Sequence, residues 1–100
     1  GLALPRTCEA TARQAGLMNM KFLYVYILEA VKAPEHYYVG LTQDLRERLR
    51  KHNAGEVPHT SKYKPWRIKT AVAFTNHNRA VAFERYLKSA SGRAFAKKRL

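Results

Sequence analysis

Cysteine is almost missing from this chain, with Cys8 the single one among 100 residues. That excludes a disulfide framework and a cysteine-ligated zinc site, and leaves no sign of secretion. Acidic residues are scarce as well, seven against 19 basic ones. No apolar run approaches the roughly 18 residues of a membrane span. The N-terminal stretch has no apolar core of signal-peptide length. A cytoplasmic protein with no membrane partner is therefore expected. No glycine-rich phosphate loop is present, and no Ser–His–acid arrangement stands out. His36, His59 and His77 have no metal-ligand spacing, which argues against zinc.

What is present is one basic, globular domain. A chain of 100 residues suits a single core, and 46% hydrophobic content is ordinary for a folded protein. The formal net charge is +12. After Glu84 come six basic residues (Arg85, Lys88, Arg93, Lys97, Lys98, Arg99) and no acidic one. Such a surface binds polyanions by releasing their counterions and steers their approach. Nucleic acid is the partner it suits best.

Residues 1–19 mix Gly, Ala, Pro, Thr and Arg without alternation or bulk. They read as a flexible arm or an added segment, with a short helix conceivable over residues 9–14. The patterned domain covers residues 20–100. Residues 22–28 are all apolar or aromatic, a strand with cover on both faces. Tyr24, Tyr26 and Leu28 share one face, and Leu23, Val25 and Ile27 the other. Pro34 and charges make a loop, and residues 36–41 a second strand of a hairpin. Gly40 inside it suggests a bulge or the close approach of another backbone or a ligand.

Thr42 can cap a helix that stops at Gly55, with Leu45 and Leu49 inward and Glu47–Lys51 as an i,i+4 pair. Residues 56–65 read as a loop too charged to be buried. Residues 66–75 form a third strand with Ile68, Val72 and Phe74 on one face. Asn76 or Asn78 then caps a helix reaching Lys88, with Ala80, Phe83 and Leu87 as its apolar stripe. Residues 89–92 break it, and residues 94–100 form a last basic helix. The order β-β-α-β-α-α is an α+β fold: a small three-stranded antiparallel sheet flanked by helices.

Arg48 and His52 lie four apart on the first helix and project from one side. Neighbouring antiparallel strands can hold Tyr26 and Tyr38 close together. Two phenols, a guanidinium and an imidazole suit work on a phosphodiester, although each alone is an ordinary packing or surface residue. Glu84 lies at the edge of the buried stripe of its helix, where a surface pair with Lys88 is its plainest role. A lone carboxylate with several waters is also acceptable to Mg²⁺. Lys62, Tyr63, Lys64, Trp66 and Arg67 interleave cations with aromatics, as backbone contact plus base stacking requires. Trp66 as a core residue is the alternative.

These positions resemble the GIY-YIG nuclease superfamily, in its small single-domain bacterial branch related to the excision-repair nuclease subunit. Its first motif matches Tyr24-Val25-Tyr26, and its second Tyr38-Val39-Gly40. The arginine ten residues beyond Tyr38 is Arg48, the histidine four later is His52, and the metal-binding glutamate is Glu84. The chain departs in having Tyr24 where the family has glycine, and no asparagine follows Glu84. Thr60, Lys62 and Tyr63 look like a loop motif of this branch with no role to carry over.

The resemblance implies an endonuclease that hydrolyses DNA with one divalent ion, Mg²⁺ or Mn²⁺, on Glu84. No small-molecule cofactor is implied. Tyr26, Tyr38, Arg48 and His52 would be its catalytic residues. Its substrate would be single-stranded, branched or duplex DNA, processed in repair or recombination. A binding module without catalysis is the alternative, with a basic interaction domain behind it. Tyr24 and Tyr37 are expected to serve packing.

Overall fold

The computed structural model describes residues 21–100. The arm over residues 1–19 and the helix conceived within it lie outside the described residues. The elements in chain order are β1 (Leu23–Ala30), β2 (Tyr37–Thr42), α1 (Leu45–Asn53), α2 (Pro58–Ser61), β3 (Trp66–Phe74), α3 (His77–Leu87) and α4 (Ala90–Arg99). The sheet order is β2-β1-β3, antiparallel throughout. The expected α+β architecture is thus observed.

β1 is central, and its unbroken apolar run has a direct cause in the covering of both faces. On one side Val25 and Ile27 pack with Ala80 and Leu87, joined by Phe74, Phe83, Ala96 and Leu100. On the other, Tyr26, Leu28 and Ala30 pack with Trp66, joined by Tyr38, Leu45, Leu49, Tyr63 and Ile68. α3 and α4 therefore cover the first face, and α1 with the segment after it the second. Leu28 is fully buried, which stabilises the fold by about 1.5–3 kcal/mol relative to an exposed leucine.

Several local expectations are corrected. Ile68 does not share a face with Val72 and Phe74. The pairing of β1 with β3 shifts between Ile27 and Leu28, so that Ile27 faces Thr70 while Leu28 faces Ile68. A bulge of this kind turns the chain over without any change in its apolar and polar alternation. The α1 cap is Asp44, whose carboxylate accepts from the Glu47 amide at 3.1 Å. Thr42 instead accepts from the Asp44 amide at 3.1 Å, shaping the turn before the cap.

Glu47 pairs with Arg50 at 2.8 Å rather than with Lys51. Arg50 also reaches Glu56 at 3.4 Å, and the two carboxylates together raise its already high pKa. Residues 56–65 are not a plain loop: they contain α2, and Val57 and Thr60 are buried. Residues 89–92 do not merely interrupt. Ser89 caps α4, accepting from the Gly92 amide at 3.1 Å, so that helix starts earlier than expected. Tyr37 is 49% exposed and does not serve packing. Gly55 ends α1 with φ +79°, a conformation that glycine adopts without steric cost.

Candidate active site

Alternation along β1 sends Tyr26 toward the α1 side, where it is 1% exposed. In the register with β2, Tyr26 lies opposite Gly40. A Cβ on Gly40 would sit 2.5 Å from the Tyr26 hydroxyl, so the phenol crosses the strand where a side chain is missing. The close approach expected at Gly40 is that of the Tyr26 ring. Tyr38, two residues earlier and hence on the same face, places its ring 6.3 Å from Tyr26 and 4.9 Å from His52.

α1 supplies the other two groups from successive turns. Arg48 Nε donates to the Tyr26 hydroxyl at 3.2 Å. His52 Nε2 lies 3.0 Å from the same oxygen. The His52 ring is completely buried and its Nδ1 is 2.7 Å from Thr60 Oγ1. Arg48 and His52 from α1 thus converge on the Tyr26 hydroxyl of β1, with the Tyr38 ring of β2 packed beside them.

Electrostatics orders their protonation. Burial raises the Tyr26 pKa above its ordinary value, against the lowering by the Arg48 hydrogen bond and charge; Tyr38 and Glu84 reinforce the rise. Burial, helped by the Arg48 charge, lowers the His52 pKa to about 4. At neutral pH Tyr26 is therefore a protonated phenol and His52 a neutral imidazole. Contact with the Tyr26 oxygen, which also accepts from Arg48, raises the Arg48 pKa and keeps it cationic.

Glu84 stands apart from this group. It is on α3, which packs on β1 and β2, and its carboxylate is paired with Lys88 Nζ at 2.6 Å while only 18% exposed. Its carboxylate touches Tyr26 through charge alone. Among the described residues no three His, Cys, Asp or Glu cluster for a metal, which suits neither zinc nor calcium. One shielded carboxylate fits a cation that keeps most of its water, as Mg²⁺ does. Lys88 must then turn away from it.

The cation and aromatic segment is not a continuous stacking platform. Trp66 is 4% exposed and donates Nε1–H to the Thr60 carbonyl at 2.8 Å, so its ring belongs to the core rather than to a base. Tyr63 stacks on His36 at 4.0 Å between ring centres, with Lys62 5.6 Å from its ring. Arg67 pairs with Glu29 at 2.8 Å, and Lys64 is exposed. A groove of about 460 Å³ opens beside Tyr38, with Tyr37, Lys88 and Arg93 among its lining. Lys88 and Arg93 were legible only as members of a general basic run, because nothing in a run tells which cations border Tyr38. Thr60 carried no signal of its contact beyond standing eight residues after His52.

Residues 22–99 match the GIY-YIG catalytic domain family. A segment of 65 residues is 35% identical to a structure-specific endonuclease subunit SLX1 homolog of Giardia intestinalis. That alignment covers 61% of this chain and 18% of the Giardia protein's length. Tyr26 and Tyr38 stand in the two strand motifs, Arg48 and His52 on the helix after them, and Glu84 on a helix packed against both strands. With the family match spanning nearly all of the described fold, the chain belongs to the GIY-YIG nuclease superfamily.

Proposed function

We propose that this domain is an endonuclease that hydrolyses DNA phosphodiesters using one divalent cation, Mg²⁺ or Mn²⁺, held by Glu84. The observation that carries this reading is the Tyr26 hydroxyl, buried in the sheet yet contacted by both Arg48 and His52. A tyrosine needed only for packing requires one polar partner for its hydroxyl. Here a cation donates to that oxygen while a neutral base faces its proton. The name of the Giardia relative favours branched or otherwise structured DNA as the substrate class.

In this reading a phosphate oxygen draws the half-buried Arg48 guanidinium to itself, where its forked donors match the anion and its transition state. The Tyr26 hydroxyl is thereby uncovered to water. Tyr26 passes its proton to His52 Nε2 and takes one from the attacking water, whose oxygen forms the new bond to phosphorus. The bond to the 3′ oxygen breaks, that oxygen takes a proton from solvent, and His52 gives its extra proton up to solvent, which restores the neutral base. Tyr38 packs on the His52 ring and keeps it facing Tyr26. The cation, when bound at Glu84, supplies Lewis-acid neutralisation of phosphate charge. Lys88 and Arg93 border the groove through which the strand would run.

The test is incubation with labelled single-stranded, duplex and flap DNA in Mg²⁺, Mn²⁺ or EDTA, beside Glu84→Ala and Arg48→Ala. Cutting that needs the metal and is lost in both variants is expected. Binding without metal-dependent cutting on every substrate would favour a module that only binds nucleic acid.

A further inference from the structure

Thr60 lies in a polar, lysine-flanked segment and is nevertheless 1% exposed. Its hydroxyl touches two groups, His52 Nδ1 at 2.7 Å and the Val57 carbonyl at 3.2 Å. Its own carbonyl accepts the indole N–H of the buried Trp66 at 2.8 Å. The turn that carries it has Pro58 at its start, and its amide donates to Val57 at 3.1 Å. The hydroxyl is therefore fixed by backbone, by the Val57 carbonyl and by the core.

Proton accounting gives that position a consequence. The phenol proton of Tyr26 is buried and needs an acceptor. Arg48 offers donors only. Among the described residues, His52 Nε2 is the acceptor within hydrogen-bond distance of that hydroxyl. Nε2 must then be bare, and the single ring proton of neutral His52 resides on Nδ1. An Nδ1–H needs an acceptor in turn, and the Thr60 oxygen provides it while its own proton goes to Val57. Each donor in the chain from Arg48 to Val57 has one acceptor.

We infer that Thr60 is a positioning residue whose hydroxyl holds His52 in the Nδ1-protonated tautomer, with Nε2 bare toward Tyr26. Among the described residues the groups facing the imidazole are Arg48 on its own helix, Tyr26 on β1, Tyr38 on β2 and Thr60 on α2, and none of them is a carboxylate that could compete for the Nδ1 proton. A wrong tautomer would offer Tyr26 a second donor in place of the base that takes its proton. The consequence for rate rests on the nuclease reading proposed above; the tautomer itself does not.

The test reads the His52 ring by long-range proton–nitrogen-15 correlation at neutral pH, in the wild type, Thr60→Ser and Thr60→Val. Cleavage kinetics of the same three proteins accompany it. Wild type and Thr60→Ser should show a protonated Nδ1 and a bare Nε2. Thr60→Val should gain Nε2-protonated ring and lose kcat by about tenfold or more with little change in KM, while Thr60→Ser stays within about threefold of wild type. An Nε2-protonated ring in the wild type would overturn the assignment without any variant having to fold. So would a Thr60→Val protein that keeps the wild-type ring pattern or the wild-type rate. A wild type that cuts no DNA yet shows the Nδ1-protonated ring would refute the nuclease reading and leave the tautomer lock standing.

Discussion

Burial and the Arg48 guanidinium pull the Tyr26 phenol in opposite directions, and burial prevails, so Tyr26 holds its proton at neutral pH. His52 is displaced the other way, to about 4, which leaves an uncharged base in contact with that phenol. A histidine whose folded pKa lies below its unfolded value gives stability that is complete above pH ~6.5 and drains away as pH falls toward 4. Between pH 7 and pH 5 the loss from His52 is about 2 kcal/mol. Urea unfolding at the two pH values should show this loss in the wild type, and a His52→Gln variant should lack it. Equal pH dependence in both proteins would mean that the imidazole is not buried neutral. Arg48→Lys keeps the charge but not the fork, and the account expects cleavage to fall about 100-fold, measured under single-turnover conditions.

At the scale of elements, apolar runs and periodicity in the sequence suffice for three strands and three longer helices. The i,i+4 spacing on α1 is equally plain, and it puts Arg48 and His52 on the side that meets Tyr26. What stays hidden has physical causes. Thr42 and Asp44 are both competent caps, and only the turn geometry decides between them. The bulge between Ile68 and Thr70 preserves the alternation of letters while turning Ile68 to the opposite face. Four residues cannot display a helical period, so α2 is invisible, and the buried hydroxyl of Thr60 goes with it.

Gly40 is legible as a special position, yet only the register shows that Tyr26 is what approaches it. Gly40→Ala should push the phenol off its partners, costing about 1–3 kcal/mol of stability and most of the cleavage. Gly55→Ala, at φ +79° just past the end of α1 that carries His52, should cost about 1 kcal/mol of stability and slow single-turnover cleavage far less than Gly40→Ala does. Thermal melts and cleavage assays of the two variants distinguish them; equal activity of Gly40→Ala and wild type would contradict the close packing of the site.

For the molecule as a whole, helices on both faces of the sheet contribute to the proposed site. The α1 face carries the phenols, Arg48 and His52, while α3 carries Glu84 and, with α4, a run of cations that reaches the groove beside Tyr38. DNA affinity should fall linearly with salt on logarithmic axes, and Arg93→Ala should flatten that slope by about one unit, as read by fluorescence anisotropy across a salt series. An unchanged slope would remove Arg93 from the DNA path. The central claim is that the Tyr26 hydroxyl takes part in breaking the phosphodiester. It is tested most directly by the single-turnover cleavage rate of Tyr26→Phe against wild type, at saturating DNA and Mg²⁺. The account predicts a rate lower by about 100-fold or more with DNA affinity unchanged; a Tyr26→Phe protein that cuts as fast as wild type would contradict it.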